Sequence, residues 1–215
     1  MKVLVACEES QAVCKAFRER GHEAYSCDIQ ECSGGHPEWH IKGDALETLY
    51  SQKWDLVIAH PPCTYLSNAG ACRLYPKAGE IDKDRYIKGL KAKEFFMAFY
   101  WYGMCGNKIA IENPVPSTVY ELPAKTQVIQ PYEYGHPYTK KTYLWLFGLP
   151  KLTPTNIVTP RGGYVCGNAE IWKKQATLGE VIGKEKSAKH RSKTFEGWAN
   201  AMADQWAGIN KGEMK

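Results

Sequence analysis

Short apolar runs separated by segments of helical spacing recur along the first half of the chain. Residues 2–6 (KVLVA) are apolar after Lys2, which predicts a buried strand. Ala12, Val13, Ala16 and Phe17 recur at helical spacing, so 9–20 is predicted as a helix, with Gly21 supplying the terminating conformation. Residues 23–27 (EAYSC) predict a second strand ending at Asp28; beyond it lie a polar stretch rich in Gly and His and a short element at 45–50. WDLVIAH at 54–60 is the strongest strand pattern in the chain. Residues 84–105 are long enough for a substantial helix, with Gly89 as a local weak point. KIAIENP at 108–114 is a strand whose apolar run stops at Glu112, with Pro114 preventing its continuation. Aromatic-rich strands are predicted near 127–132 and 142–147, loops or an irregular insert over 148–190, and an amphipathic helix over 195–209 with Trp198, Ala201, Met202 and Trp206 able to face a core.

This alternation predicts an α/β fold: an open, mostly parallel sheet with antiparallel C-terminal strands and helices on both faces. Ligands of such sheets collect at the carboxyl ends of the strands. The residues just past those ends are Glu8 to Ser10, Asp28, His60 to Cys63, and Glu112 with Asn113, which the topology brings to one edge. The expected organisation is a catalytic core over 1–147, a small insert or reduced target-recognition region over 148–190, and a C-terminal helix over 191–215 that packs back on the core.

Composition narrows the picture. A chain of 215 residues can bury one full-sized core without staples. No run reaches the roughly 20 apolar residues that span a bilayer, and the N-terminus does not read as a secretion signal, so no membrane partner and a cytoplasmic location are expected. The eight cysteines include no CxxC pair, which predicts reduced thiols and no metal. The net charge of +5 permits a polyanionic partner without requiring one. Lys173, Lys174, Lys184, Lys186, Lys189, Arg191 and Lys193, preceded by Gly162, Gly163, Tyr164, Gly167 and Trp172, read either as a phosphate-contacting surface or as a solubilising face.

Candidate chemistry centres on HPPCTYLSNAG, directly after the WDLVIA strand. Two prolines stiffen the chain at the sheet edge and hold Cys63 in a defined place, either as a nucleophile or as an inert thiol in a rigid turn. Glu112 ends an apolar strand, where a carboxylate is costly unless solvated or partnered; it reads as a proton donor beside the thiol or as a cap for the turn at Asn113 and Pro114.

In order along the predicted strands, PPC at 61–63, Glu112–Asn113, and YGHPYTKKTYLW at 134–145 resemble the catalytic Pro-Pro-Cys, Glu-Asn and Tyr-Gly-x-Pro segments of the C5-cytosine DNA methyltransferases. The likeness covers 1–147 and, loosely, 190–209. It implies a Rossmann-like S-adenosylmethionine-dependent methyltransferase fold, S-adenosylmethionine as cofactor and DNA as partner. It implies Cys63 as nucleophile, with Glu112, Asn113 and Lys140 as its catalytic company. Cofactor contacts are implied at Cys7, Glu8, Ser10, Asp28, Ile29, Gly43, Asp44, His60 and Pro61: Asp28 for the ribose, Gly43 and Asp44 for the adenine. Substrate contacts are expected at Pro62, Thr64, Tyr65, Ser67, Lys140, Lys173, Lys174 and Arg191; from composition alone, Tyr65 and the loop 66–73 are expected to close over the base, with Gly70 permitting that motion.

The chain departs from the family at three points. ACEESQAV at 6–13 replaces the glycine-rich first loop, leaving Ser10 as the expected helix cap. Thr64 stands where the family has Gln after the cysteine. Lys140 and Thr142 stand where it has two arginines, and Lys140 lacks the planar two-pronged geometry of arginine. The sequence leaves three alternatives open: the same chemistry on a cytidine nucleotide or RNA, transfer to an exocyclic nitrogen, and a catalytically inactive nucleic-acid-binding protein of the same fold.

Overall fold

Alternating burial along the strands dictates the layers. In β1 (Lys2–Ala6), β4 (Leu56–Ala59) and β5 (Ile109–Pro114), Val3, Val5, Leu56, Ile58 and Ala110 face one core, while Leu4, Ala6, Val57, Ala59, Ile109 and Ile111 face another. Both faces are apolar, so both need cover. Helices α1 (Ala12–Glu19) and α5 (Glu196–Trp206) supply it on the first face through Val13, Phe17, Trp198, Met202 and Trp206. Helices α2 (Ala45–Ser51) and α4 (Lys83–Met104) supply it on the second through Leu49, Phe96 and Phe99. The computed structural model describes residues 1–71, 73–160, 162–163 and 193–208.

With β2 (Glu23–Asp28), β3 (His40–Lys42), β6 (Gln127–Ile129) and β8 (Thr142–Phe147), these strands form a seven-stranded sheet in the order β3-β2-β1-β4-β5-β8-β6. The five strands from β3 to β5 run parallel, and β8 pairs antiparallel with both β5 and β6. This is the mixed α/β architecture expected, mostly parallel with antiparallel C-terminal strands. A separate pair, β7 (Tyr138–Thr139) with β9 (Gly162–Gly163), lies outside the main sheet.

Several boundaries differ from the sequence reading. Helix α1 begins at Ala12, not at residue 9, because Gln11 adopts a left-handed backbone (φ 59°) and 8–10 form a turn. Ser10 is not its cap: the carboxylate of Glu8 accepts from the amides of Val13 (2.7 Å) and Cys14 (3.2 Å). The polar stretch after Asp28 contributes β3, an edge strand held in part by Gln11, whose side chain bonds both the carbonyl (2.7 Å) and the amide (3.0 Å) of His36. Gly89 lies in the interior of α4 because a Cβ there would overlap the buried ring of Tyr120. The predicted insert over 148–190 and the basic cluster other than Lys193 fall mostly outside the described residues. None of the six described cysteines is in a disulfide, and no helix among the described residues is long and apolar enough to cross a membrane.

Candidate active site

Register explains why the strand-end residues meet. Ala6 of β1 pairs with Cys27 of β2 and with Ala59 of β4, and Ala59 pairs with Ile111 of β5. In parallel strands the next residues therefore form one rank along the carboxyl edge: Cys7, Asp28, His60 and Glu112. A cleft of about 450 Å³ opens there, lined by these four and by Glu8, Glu9, Ser10, Gln30, Pro61, Pro62, Cys63, Thr64, Pro114, Lys140, Lys193 and Thr194. Its size falls within the range typical of small-molecule sites.

The Pro-Pro-Cys segment is built from three anchors. The amide of His60 donates to the carbonyl of Ala6 (2.9 Å), continuing the β1–β4 ladder by one rung. Asn113, fully buried, donates through Nδ2 to the carbonyl of Pro61 (3.1 Å). Past the thiol, the amides of Leu66 and Ser67 both donate to the carbonyl of Cys63, turning the chain into α3 (Asn68–Ala71). Arg85 of α4 secures the far side: its Nη2 donates to the carbonyls of Thr64 (3.2 Å) and Gly70 (2.9 Å), and its guanidinium lies 4.9 Å from the ring centre of Tyr65. A Cβ on Gly70 would overlap the carbonyl oxygen of Thr64, so close approach, not hinge freedom, explains that glycine. Cys63 is left half-buried at the cleft wall.

Glu112 and His60 form a buried pair: imidazole Nδ1 and carboxylate Oε2 lie 3.0 Å apart, with the His60 side chain 10% and the Glu112 side chain 14% exposed. Burial alone would raise the Glu112 pKa, but the His60 hydrogen bond and the charges of His60 and Lys140 carry it below the ordinary carboxylate value. Burial alone would lower that of His60; the bond and charge of Glu112, together with Glu8, outweigh burial and the opposing Lys140, and raise it. Glu8 is the reverse case. Burial dominates over His60, the two amide bonds and Lys15, and its carboxyl sits above the usual range. Burial, reinforced by Asp28, also pushes the Cys7 thiol up and favours its protonated form.

Not every predicted site residue lines the cleft. Tyr65 packs under Arg85, and Ser67 is buried, accepting from the amide of Gly70 (3.2 Å). Asp44 spends its carboxylate capping α2 at the amides of Leu46 (2.7 Å) and Glu47 (3.1 Å), and the Gly43 amide donates to the Asp28 carbonyl (3.0 Å). Ile29, next to Asp28, is 74% exposed. Lys173, Lys174 and Arg191 lie outside the described residues. Conversely, Gln30, Pro114 and Thr194 line the cleft without having been anticipated. The signal for Gln30 and Pro114 was position, each within two residues of a strand-end acid. Thr194 comes from a segment whose approach to the cleft is set by the docking of α5. A second concavity of about 570 Å³, beside Lys15, Arg18, His22 and Trp39, contains none of the strand-end chemistry.

Two buried polar atoms at the site, His60 Nε2 and Asn113 Oδ1, have no hydrogen-bond partner among the described residues. Glu8, Glu9 and Asp28 make that end of the cleft suited to a cationic ligand.

No protein-family model and no curated protein matches the chain. Among solved structures it is similar to a protein provisionally described as a DNA modification methyltransferase encoded within a prophage (E. coli), at 13% identity and a TM-score of 0.46. The alignment covers 74% of this chain and 52% of that one, so the chain spans about half the length of its neighbour. A likeness that distant bears no weight on activity, and the functional reading rests on the residues themselves.

Proposed function

We propose that the chain is an S-adenosylmethionine-dependent methyltransferase that acts on C5 of cytosine in DNA through a covalent Cys63 adduct at C6. The observation that carries this reading is the convergence on one cleft of a thiol on a Pro-Pro loop, a buried carboxylate at the adjacent strand end, and an asparagine that ties the two together. The sheet order supports it, being compatible with a Rossmann-like methyltransferase core over 1–147.

The residues present suit the cofactor. Asp28 at the end of β2 offers a carboxylate to ribose hydroxyls, exposed Ile29 an apolar surface to adenine, and Glu8 and Glu9 offer negative charge to the ammonium and sulfonium. S-adenosylmethionine, when bound, supplies an electrophilic methyl group. Cys63 as thiolate adds to C6 of the base; the C5=C6 electron pair shifts through C4 to N3, and N3 takes a proton held by Glu112. C5 is then the electron-rich carbon that accepts the methyl group. Loss of the C5 proton to solvent lets the C6–S bond break and returns the thiolate. Asn113 keeps the Pro61 carbonyl, and with it the loop, fixed during this cycle, while Lys140 supports the polarised base. C5 is inaccessible inside a duplex, so the substrate base is flipped out or single-stranded. Lys140 and the 173–193 segment are the phosphate contacts of this reading, and 148–190 its reduced target-recognition region.

The test is intact mass after incubation with S-adenosylmethionine and an oligonucleotide carrying 5-fluorocytosine, whose fluorine cannot leave as a proton does. A covalent complex that requires the cofactor and is lost in Cys63→Ser is expected. Absence of any complex on single and double strands, with the protein folded, would sink the reading; a complex only with RNA or a cytidine nucleotide would move the same chemistry to that substrate.

A further inference from the structure

Donation of a proton to N3 asks something awkward of Glu112. Its carboxyl is buried between an imidazole and, at longer range, a lysine, surroundings that favour the carboxylate over the acid. A carboxylate has no proton to give. The group that has one is its partner: His60 Nδ1 stands 3.0 Å from Glu112 Oε2, and both side chains are almost wholly shielded from water. The two are 52 positions apart in sequence and meet because they occupy the same rank of adjacent parallel strands.

We propose that His60 is a positioning residue for the transferred proton: it orients Glu112 through Nδ1 and supplies, through Glu112, the proton that N3 of the base takes. This rests on the C5-methyltransferase reading and assigns to His60 a part distinct from the cofactor contact first expected of it. The step balances without any further reactant. His60 Nδ1 passes its proton to Glu112, leaving a neutral imidazole and a carboxylic acid; as the Cys63 thiolate forms the S–C6 bond and the electron pair arrives at N3, that proton passes from Glu112 to N3 and leaves the carboxylate. When the C6–S bond breaks, N3 returns its proton through Glu112, and His60 is again the imidazolium.

The surroundings of His60 fit that cycle. Glu112 from β5 and Glu8 from the turn after β1 stabilise the imidazolium, while Lys140, ahead of β8, opposes it. The two acids outweigh burial and the lysine and raise the imidazole above the ordinary histidine value. Nε2 is buried and has no partner among the described residues.

The experiment compares wild type with His60→Asn and His60→Gln, which keep a side-chain hydrogen-bonding group near Glu112 but carry no titratable proton. Adduct formation with the 5-fluorocytosine oligonucleotide and S-adenosylmethionine is followed in single turnover against pH. In parallel, the imidazole of His60 is titrated by NMR in wild type and in Glu112→Gln. In folded variants the adduct rate is expected to fall about 100-fold or more, the scale of a lost proton donor. The wild-type rate should decline as pH rises through the titration of His60. That alkaline limb should move to lower pH in the variants, where Glu112 titrates alone. By NMR the His60 pKa should lie above that of an ordinary histidine and fall in Glu112→Gln. A folded variant that keeps both rate and limb overturns the relay while leaving Cys63 chemistry standing, as does a His60 that stays neutral throughout the NMR titration. A wild-type protein that forms no adduct on any substrate overturns the methyltransferase reading and the relay together.

Discussion

Replacing Glu8 with alanine should cost about 2–4 kcal/mol of folding stability. Helix α1 has no conventional cap, since Gln11 at its N-terminus is left-handed and caps nothing with its side chain. Its amides are satisfied instead by Glu8, 4% exposed, at 2.7 Å from Val13 N and 3.2 Å from Cys14 N. Loss of a cap costs about 1 kcal/mol, and each buried donor left without an acceptor about 1–3 kcal/mol, with water entering from the cleft recovering part of it. Glu8→Gln keeps one acceptor oxygen and should lose about half as much. The carboxyl has a second signature. Burial holds its pKa above the ordinary 4.5, so the folded chain binds this proton more tightly than the unfolded chain. Its contribution is therefore complete below the unfolded value and is lost as pH rises through the folded one, and wild type should lose ground to Glu8→Gln over that rise. Urea unfolding followed by tryptophan fluorescence across pH measures both effects. An alanine variant within about 0.5 kcal/mol of wild type, the range of an ordinary surface change, would refute the capping role. A pH-independent difference between wild type and Glu8→Gln would refute the burial argument.

Arg85→Ala should remove about 1–2 kcal/mol, because two carbonyls lose a charged donor and the Tyr65 ring its cation, and should raise hydrogen exchange at the amides of 66–71; unchanged protection there would show that the guanidinium does not hold the loop. Trp206→Ala should cost about 3–5 kcal/mol, since the indole is fully buried between α5 and the sheet and donates to the Pro150 carbonyl at 3.0 Å; thermal unfolding close to wild type would mean that α5 contributes little to the first core.

Much of the fold was legible because each inner strand is buried on both faces and therefore appears as an apolar run: KVLVA, LVIA and IAI need no partner to be recognised. The aromatic strand β8 was legible to the residue, since its buried Leu144 and Leu146 alternate with Trp145 on the other face. What failed depends on long-range contact. His40–Lys42 carries no apolar pattern and becomes a strand through pairing with Ser26 to Asp28, with Gln11 anchoring the approach at His36. Gly70 suggested motion because glycine reads as freedom, whereas its reason is a carbonyl six residues earlier. Cys63 and Glu112 were readable as strand-end chemistry, and Lys140 only through the family resemblance, but the His60–Glu112 pair was not: either residue alone looks like the polar end of an apolar run, and only the register of β4 against β5 joins them.

The first loop takes a left-handed course at two positions that carry side chains. Cys7 and Gln11 both adopt the conformation that glycine would take freely, with φ of 61° and 59°. Such conformations cost about 1–3 kcal/mol each outside glycine and persist only when their surroundings over-determine them. Here the surroundings do so. The Gln11 side chain is fixed between Ser26 and both backbone groups of His36, and the Glu8 amide is held by the Cys27 carbonyl at 3.0 Å. The consequence is electrostatic. A glycine loop presents bare helix amides, and therefore positive potential, to whatever lies in front of it. In this chain the carboxylate of Glu8 already occupies those amides, with Glu9 beside it on the cleft wall. The wall facing a ligand is thus acidic, suited to an ammonium or sulfonium group and not to a phosphate, while Lys140 and Lys193 bring positive charge to the cleft on segments that arrive later in the chain. The acids of this loop therefore set the sign of the potential at one end of the cleft.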